Sequence, residues 1–209
     1  EYAEGIMFLR WAEERYNAGD AFEDIYATLA NNLTIRLTDN GRYDTSKSYI
    51  DEWQDAGVIS SAYARELMVL VFDRKAYTAV NSMEPAEAEN VLDSLYEEEK
   101  LEKERYEEFI VFLYGKQAED AGKTRQWLKA ADIMEQAIEK IGEHPQLLRA
   151  LKGYRGNYAV SVHNRFADLY NSRQFSKALE IVEDALQIVP GDRTLQRDLQ
   201  IVQEAISGN

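Results

Sequence analysis

The chain has 209 residues, enough for one domain with a substantial core or for a short repeat array. It has no cysteine, which excludes disulfides, thiolate metal sites and a cysteine nucleophile. Acidic residues outnumber basic ones by 38 to 24, and the net charge of -14 repels phosphate backbones, so no nucleic-acid partner is expected.

Gly5 to Tyr16 reads as an amphipathic helix with Ile6, Leu9 and Trp11 among its apolar residues. Asn17-Ala18-Gly19-Asp20 is a turn signal, and Asp20 can cap a second helix over Ala21 to Leu37. Asp39-Asn40-Gly41 ends that helix, and a third runs from about Thr45 to Ala56 with Tyr49, Ile50 and Trp53 apolar. Ser60-Ser61 caps a fourth through Ala79. Its Met68, Leu70, Val71 and Phe72 are nearly continuous, so burial on several sides is expected. Pro85 suits the start of the next helix.

From Ala86 to Asp120 no breaker appears until Gly115. One long helix with an exposed, charge-paired middle is expected, and a break near Glu97 is the competing reading. Gly122-Lys123-Thr124 turns the chain into a helix bearing Trp127, Ala130, Ala131, Met134, Ala137, Ile138 and Ile141. Pro145 opens an unusually long helix to Asn171, which Gly153 and Gly156 weaken by only about 1 kcal/mol each. Asn171, Ser172 and Arg173 break it. The next helix carries Ala178, Leu179, Val182, Ala185, Leu186 and Val189, and Pro190-Gly191-Asp192 stops it. Leu195, Leu199, Val202 and Ile206 form a last amphipathic stripe. No segment alternates with strand periodicity, so the fold class is all-α, with about nine helices.

The stretch from Ala159 to Asp192 resembles one tetratricopeptide repeat, a helix-turn-helix unit of about 34 residues. Ala178, Val182 and Ala185 fall on the small, large and small positions of its second helix, and Pro190 falls on the closing proline. Two residues depart. Val162 replaces the opening aromatic and Phe166 a small residue, so the first helix is expected to shift outward. Val111 to His144 is similar, with Tyr114 and Ala118 in the first helix and Gly142 where the proline would be. Ala27 to Gly57 is a degenerate unit. Tyr43 is in place, but Ser46 replaces Ala and Trp53 replaces the second small residue. The resemblance implies a right-handed superhelix of antiparallel helix pairs, an α-solenoid, as one domain over residues 1–209. It has degenerate helices over 1–85, better repeats over 111–144 and 159–192, and a capping helix over 193–207.

No chemistry stands out. His144 and His163 are far apart and belong to no HExxH pattern; His144 reads as a surface residue in a turn. GxGxxG, Walker, GxSxG and EF-hand patterns are lacking, and the carboxylates are too many for any pair to be informative. Asn32-Leu33-Thr34 matches a glycosylation sequon but sits inside an expected helix, so chance explains it. Trp127, Phe175 and Tyr43 stand where repeats pack aromatics between helices. No catalytic, cofactor or metal residue is assigned, and the chain is not expected to be an enzyme. No long uncharged apolar run is present, so membrane insertion is not expected. The chain opens on Glu1 with no signal-peptide pattern, as in a processed product or a piece of a larger polypeptide.

A surface remains. The resemblance implies that first helices line a concave groove, with an Asn near the middle of each that holds a peptide backbone or a carboxylate. Asn164 matches that position, Asn32 matches it in the degenerate unit, and Lys116 takes it in the repeat between. His163, Ala167, Tyr170 and Asn171 should share the exposed side of Asn164, and Arg149, Lys152 and Arg155 form a basic ridge on the same long helix. The expected function is a non-catalytic interaction module that binds a protein or peptide partner. The alternatives are a small molecule or lipid held in an apolar cavity around Phe112, Val160 and Phe166, or a structural spacer of a larger protein.

Overall fold

The computed structural model describes residues 2–16 and 22–208. The turn expected at Asn17 to Asp20, and the helix start at Ala21, lie outside the described residues. Among the described residues ten α-helices follow one another: α1 (Tyr2–Tyr16), α2 (Glu23–Asp39), α3 (Tyr43–Asp55), α4 (Ser61–Ser82), α5 (Pro85–Glu97), α6 (Lys103–Lys123), α7 (Trp127–Ile141), α8 (Pro145–Asn171), α9 (Phe175–Ile188) and α10 (Arg193–Ser207). Among the described residues there is no strand.

The count exceeds the expected nine because Ala86 to Asp120 is two helices. Glu99 adopts φ 55°, a left-handed conformation, and Lys100 N–H donates back to Leu95 C=O. The charged connection hides one buried side chain, Leu101. Beside it Tyr96 stacks on Tyr106 with centroids 4.4 Å apart, and the Tyr106 hydroxyl donates to Asp93 at 2.7 Å. No glycine or proline announces this turn, because a Glu fills the left-handed position.

The same ending recurs. Gly41, Gly57, Glu99, Arg125 and Arg173 all have φ between 55° and 71°. At each, its own N–H donates to the carbonyl three residues back, and the next N–H donates to the carbonyl five residues before itself. These paired bonds satisfy carbonyls that a helix end would otherwise leave open. Two residues beyond each left-handed residue stands an apolar one: Tyr43, Ile59, Leu101, Trp127 and Phe175.

The chain divides into two compact units, Glu1–Ile110 and Val111–Asn209, and the division falls within α6. In the first unit α2, α3 and α4 pack on one another, α1 covers α2 and α5 covers α4. Their core includes Ile6, Tyr26, Ala30, Leu37, Ile50, Trp53 and Leu67. Burial, then a hydrogen bond to Glu13, pushes the Tyr26 hydroxyl up to about 12, so it stays a donor that ties α2 to α1. Tyr63 does the same between α4 and α2, donating to Ala27 C=O at 2.9 Å. Ser60 caps α4 by accepting from Tyr63 N–H. Met68, Leu70 and Phe72 of α4 are only half-buried and Val69 is exposed, so one side of that helix faces water.

In the second unit α8, α9 and α10 pack on one another, and α7 packs along α8. Helix α8 has 27 residues, as long as the spacing predicts, so α9 with 14 residues covers only part of it. His144 is more than a surface residue: its Nδ1 accepts from Gln146 N–H and caps α8. The core includes Ala159, Val162, Phe166, Ala178, Val182, Ala185, Leu195 and Val202.

One pattern unites α3, α7 and α9. An aromatic opens each, and three, seven and ten residues on come Ser46, Ile50 and Trp53; Ala130, Met134 and Ala137; Ala178, Val182 and Ala185. All nine are buried. In α5, Ala88, Leu92 and Leu95 repeat the spacing and are also buried. The first of the three is always small. Ala178→Leu should therefore overpack its helix contact and cost about 1–3 kcal/mol in urea unfolding. Ser46 is 1% exposed and its Oγ has no hydrogen-bond partner, so Ser46→Ala should raise stability by about 1 kcal/mol. If Ala178→Leu unfolds like the parent, small size at this position is not what the packing requires, and an unchanged Ser46→Ala would mean that the buried Oγ carries no cost. Arg173→Gly, which removes a side chain from a left-handed position, should add about 0.5–1 kcal/mol by the same measurement.

Candidate functional site

The site lies in the second unit, where α8 runs beside α10. Helix α10 starts after Pro190-Gly191. Asp192 caps it, its carboxylate accepting from Thr194 N–H at 2.9 Å and Leu195 N–H at 3.0 Å. Its stripe then brings Leu195, Asp198 and Val202 to the core. Asp198 is 3% exposed, a carboxylate at a position where the apolar spacing calls for a hydrophobic residue. Such a group costs several kcal/mol unless it is paired. Its partner is His163 of α8, with Nδ1 at 2.7 Å from Asp198 Oδ2. With Nδ1–H donating to the carboxylate, Nε2 is the ring atom left for a ligand.

Above this pair is a groove of about 620 Å³, lined on the α8 side by His163, Phe166, Ala167, Tyr170 and Asn171 and on the α10 side by Arg193, Thr194, Arg197, Asp198 and Ile201. Asp198, the one carboxylate of the lining, is held by His163, and Asp192, next to Arg193, caps the helix N-terminus. Arg193 and Arg197, four residues apart on one face of α10, have no ion-pair partner among the described residues. The groove of a strongly acidic chain therefore carries two uncompensated cations over an apolar and aromatic wall.

Of the residues expected from the sequence, His163, Tyr170 and Asn171 meet in this groove. Asn164 is exposed on α8, two helical turns before Asn171 and outside the lining. Lys152 and Arg155 line a separate notch of about 450 Å³, floored by Leu148, Leu151, Ile188, Val189 and Pro190. Arg155 is not a free charge, since it forms an ion pair with Glu135 of α7. Arg149 and Lys116 are exposed and line neither groove. Phe112 and Val160 are exposed and Phe166 is a core residue, so these three do not enclose an apolar cavity.

Arg193, Arg197 and Asp198 were not singled out from the sequence. The signal for Asp198 was present: it sits three residues after Leu195 and four before Val202, inside the apolar stripe of its own helix. A charge at such a position requires a partner. Among the described residues no group of three or more acidic, His or Cys side chains is placed to hold a metal ion, and no helix is long and apolar enough to cross a membrane. No family model matches the chain, and no curated protein or solved structure matches it either.

The His163–Asp198 pair makes an asymmetric prediction. His163→Ala leaves a buried carboxylate without its donor and should cost about 1–3 kcal/mol in chemical unfolding. Asp198→Leu removes the buried charge and fills the apolar stripe, so it should be near neutral or stabilising. On the Asp198→Leu background, His163→Ala should cost little. Equal losses in both backgrounds would mean the pair carries no coupling.

Proposed function

We propose that the chain is a tetratricopeptide-like array of antiparallel helix pairs and acts as a non-catalytic interaction module. In this reading α2/α3 and α4/α5 are pairs of the first unit, α8/α9 is a pair of the second, and α10 covers it. The support is the recurring left-handed ending followed by the aromatic, small, large and small spacing, and the mutual packing of α8, α9 and α10. The partner is an extended peptide that carries a carboxylate, at its terminus or on an acidic side chain.

The observation that carries this reading is the pair of unpartnered arginines, Arg193 and Arg197, on the wall of a groove whose other side offers Tyr170 and Asn171. Arginine pairs with carboxylate through charge-assisted hydrogen bonds of fixed geometry. An asparagine amide offers a donor and an acceptor to an extended backbone. The half-buried ring of Tyr170 supplies contact area. Asn164, earlier on α8, lies on the same helix, and Lys116 on α6 is an exposed cation of the same unit.

A random peptide library displayed with free C-termini tests this. Enriched peptides should carry Asp or Glu, or should lose affinity when the terminus is amidated. In fluorescence anisotropy Arg193→Ala and Arg197→Ala should each weaken binding by about ten-fold or more, since a charged hydrogen bond contributes about 1.5–3 kcal/mol. Asn164→Ala and Lys116→Ala should reduce it less. Melting temperatures should hold, because all four side chains are exposed. A library with no enrichment, or peptides indifferent to both arginines, would overturn the reading.

A further inference from the structure

Among the described residues of the first unit, α1 and α3 both pack on α2 and make no helix contact with each other. Helix α1 turns Ile6 and Leu9 to the core and leaves Phe8 and Trp11 exposed on its outer side. Between the first turn of α1 and α3, over the last two turns of α2, a pocket of about 590 Å³ stays open. Tyr2 of α1, Leu33, Arg36 and Leu37 of α2, Arg42 of the following turn and Tyr49 of α3 line it.

The charge of this pocket is the reverse of the chain's. Arg36 and Arg42 are its charged residues, and no carboxylate belongs to the lining. The acids nearest in sequence are held elsewhere. Asp39 pairs with Arg74 of α4 at 3.1 Å, and Asp44 lies 3.9 Å from Lys47. Neither Arg36 nor Arg42 has an ion-pair partner among the described residues. In a chain with 38 acidic and 24 basic residues, two unpaired arginines on one pocket mark a place for an anion. A guanidinium offers several N–H donors in one plane, which suits the oxygens of a carboxylate, sulfonate or phosphate.

The uncharged lining says what body the anion carries. Leu33 and Leu37, 9% and 6% exposed, form an apolar floor. Tyr2 and Tyr49 are half-buried rings, one from each flanking helix. Tyr49 is held in place by stacking on Trp53, with centroids 5.5 Å apart. An apolar and aromatic lining with a few polar groups, in a volume of about 300–1,000 Å³, is the make-up of a small-molecule site. An inorganic ion would leave the floor and both rings uncovered, whereas a flat ring covers them and gains aromatic contact. We infer that this pocket binds a small aromatic anion, its charged group on Arg36 and Arg42 and its ring over Leu33 and Leu37. The pocket shares no residue with the α8–α10 groove and belongs to the other unit, so either site can fail without the other.

Fluorescence titration of the full chain with anilinonaphthalene sulfonate, an aromatic anion that brightens when it leaves water, tests this. Neutral phenylnaphthylamine has the same rings without the sulfonate. The parent should bind the sulfonate saturably and the neutral amine about ten-fold more weakly. Arg36→Gln and Arg42→Gln should each weaken the sulfonate by about five-fold, and together by about ten-fold or more. The melting temperature should hold, because both side chains are exposed, and binding of the neutral amine should not change. Arg193→Gln with Arg197→Gln should leave the tightest sulfonate site in place. A parent that does not bind the sulfonate, or that binds the neutral amine equally well, overturns the inference. So does a double variant of Arg36 and Arg42 that binds like the parent, or a tightest site lost with Arg193 and Arg197 instead. Displacement by an equal concentration of inorganic sulfate would overturn it too, because the rings would then contribute nothing.

Discussion

The left-handed residue that closes α2, α3, α5, α6 and α8 is the constraint from which the rest of the structure follows. A helix cannot reverse direction without leaving carbonyls open, and a residue at positive φ lets two N–H groups fold back onto them. For a residue other than glycine this conformation costs about 1–2 kcal/mol. Glu99, Arg125 and Arg173 bear that cost, and two backbone hydrogen bonds at each turn offset it. The geometry then fixes where the chain goes next. The residue two positions on points inward, and it is apolar every time. Each turn therefore sets both the end of one helix and the first packing contact of the next.

Once the entry point is fixed, the distance between paired helices depends on the first inward residue of the second helix. Ala88, Ala130 and Ala178 have almost no exposed surface, and Ser46 has little more. A larger side chain there would push the pair apart, since interiors are packed near crystal density. The size of the next inward residues is freer. Ile50, Leu92, Met134 and Val182 all fill the second position, and Trp53, Leu95, Ala137 and Ala185 the third. Volume is exchanged between neighbours at the deeper positions, whereas the closest approach tolerates only a methyl group or a hydroxymethyl. In the first unit that hydroxymethyl is Ser46, whose oxygen is buried without a partner, as are those of Thr34 and Tyr43.

How far the sequence could be read follows the same division. The stripes of α7 and α9 and the length of α8 were legible because apolar spacing and proline punctuation carry them directly. The break between α5 and α6 was not legible from punctuation, because Glu99 sits where glycine is usual and the buried Leu101 is surrounded by charge. Apolar character alone groups Trp11 with Ile6 and Leu9. Its exposure depends on which face of α1 meets α2, and a short helix with apolar residues on both faces does not declare that. At the groove, His163, Tyr170 and Asn171 were recognised from their places on α8. Arg193 and Arg197 carry no such sign, because the apolar spacing of α10 marks it only as a cover for the stripe of α9. A helix that covers a core on one face still presents its other face to a ligand.

The outer face of α1 and the α8–α10 groove differ in how they answer to charge. At α1 the exposed face is a row of rings, Phe8, Trp11 and Tyr16, with few charges among them. At the α8–α10 groove the arginines act against the field of the whole chain. Far from the groove an acidic peptide meets a net charge of -14 and is repelled; near it, Arg193 and Arg197 attract it. At about 0.15 M salt the screening length is about 8 Å, which removes the distant repulsion and spares a contact made at hydrogen-bond distance. Lower salt strengthens both terms and lengthens the reach of the unfavourable one. An acidic chain can thus present a cationic groove because the carboxylate of its lining and the one beside Arg193 are occupied. The helix N-terminus holds Asp192, and His163 holds Asp198. If either carboxylate were released toward Arg193 or Arg197, it would occupy from within the position that a partner's carboxylate would take.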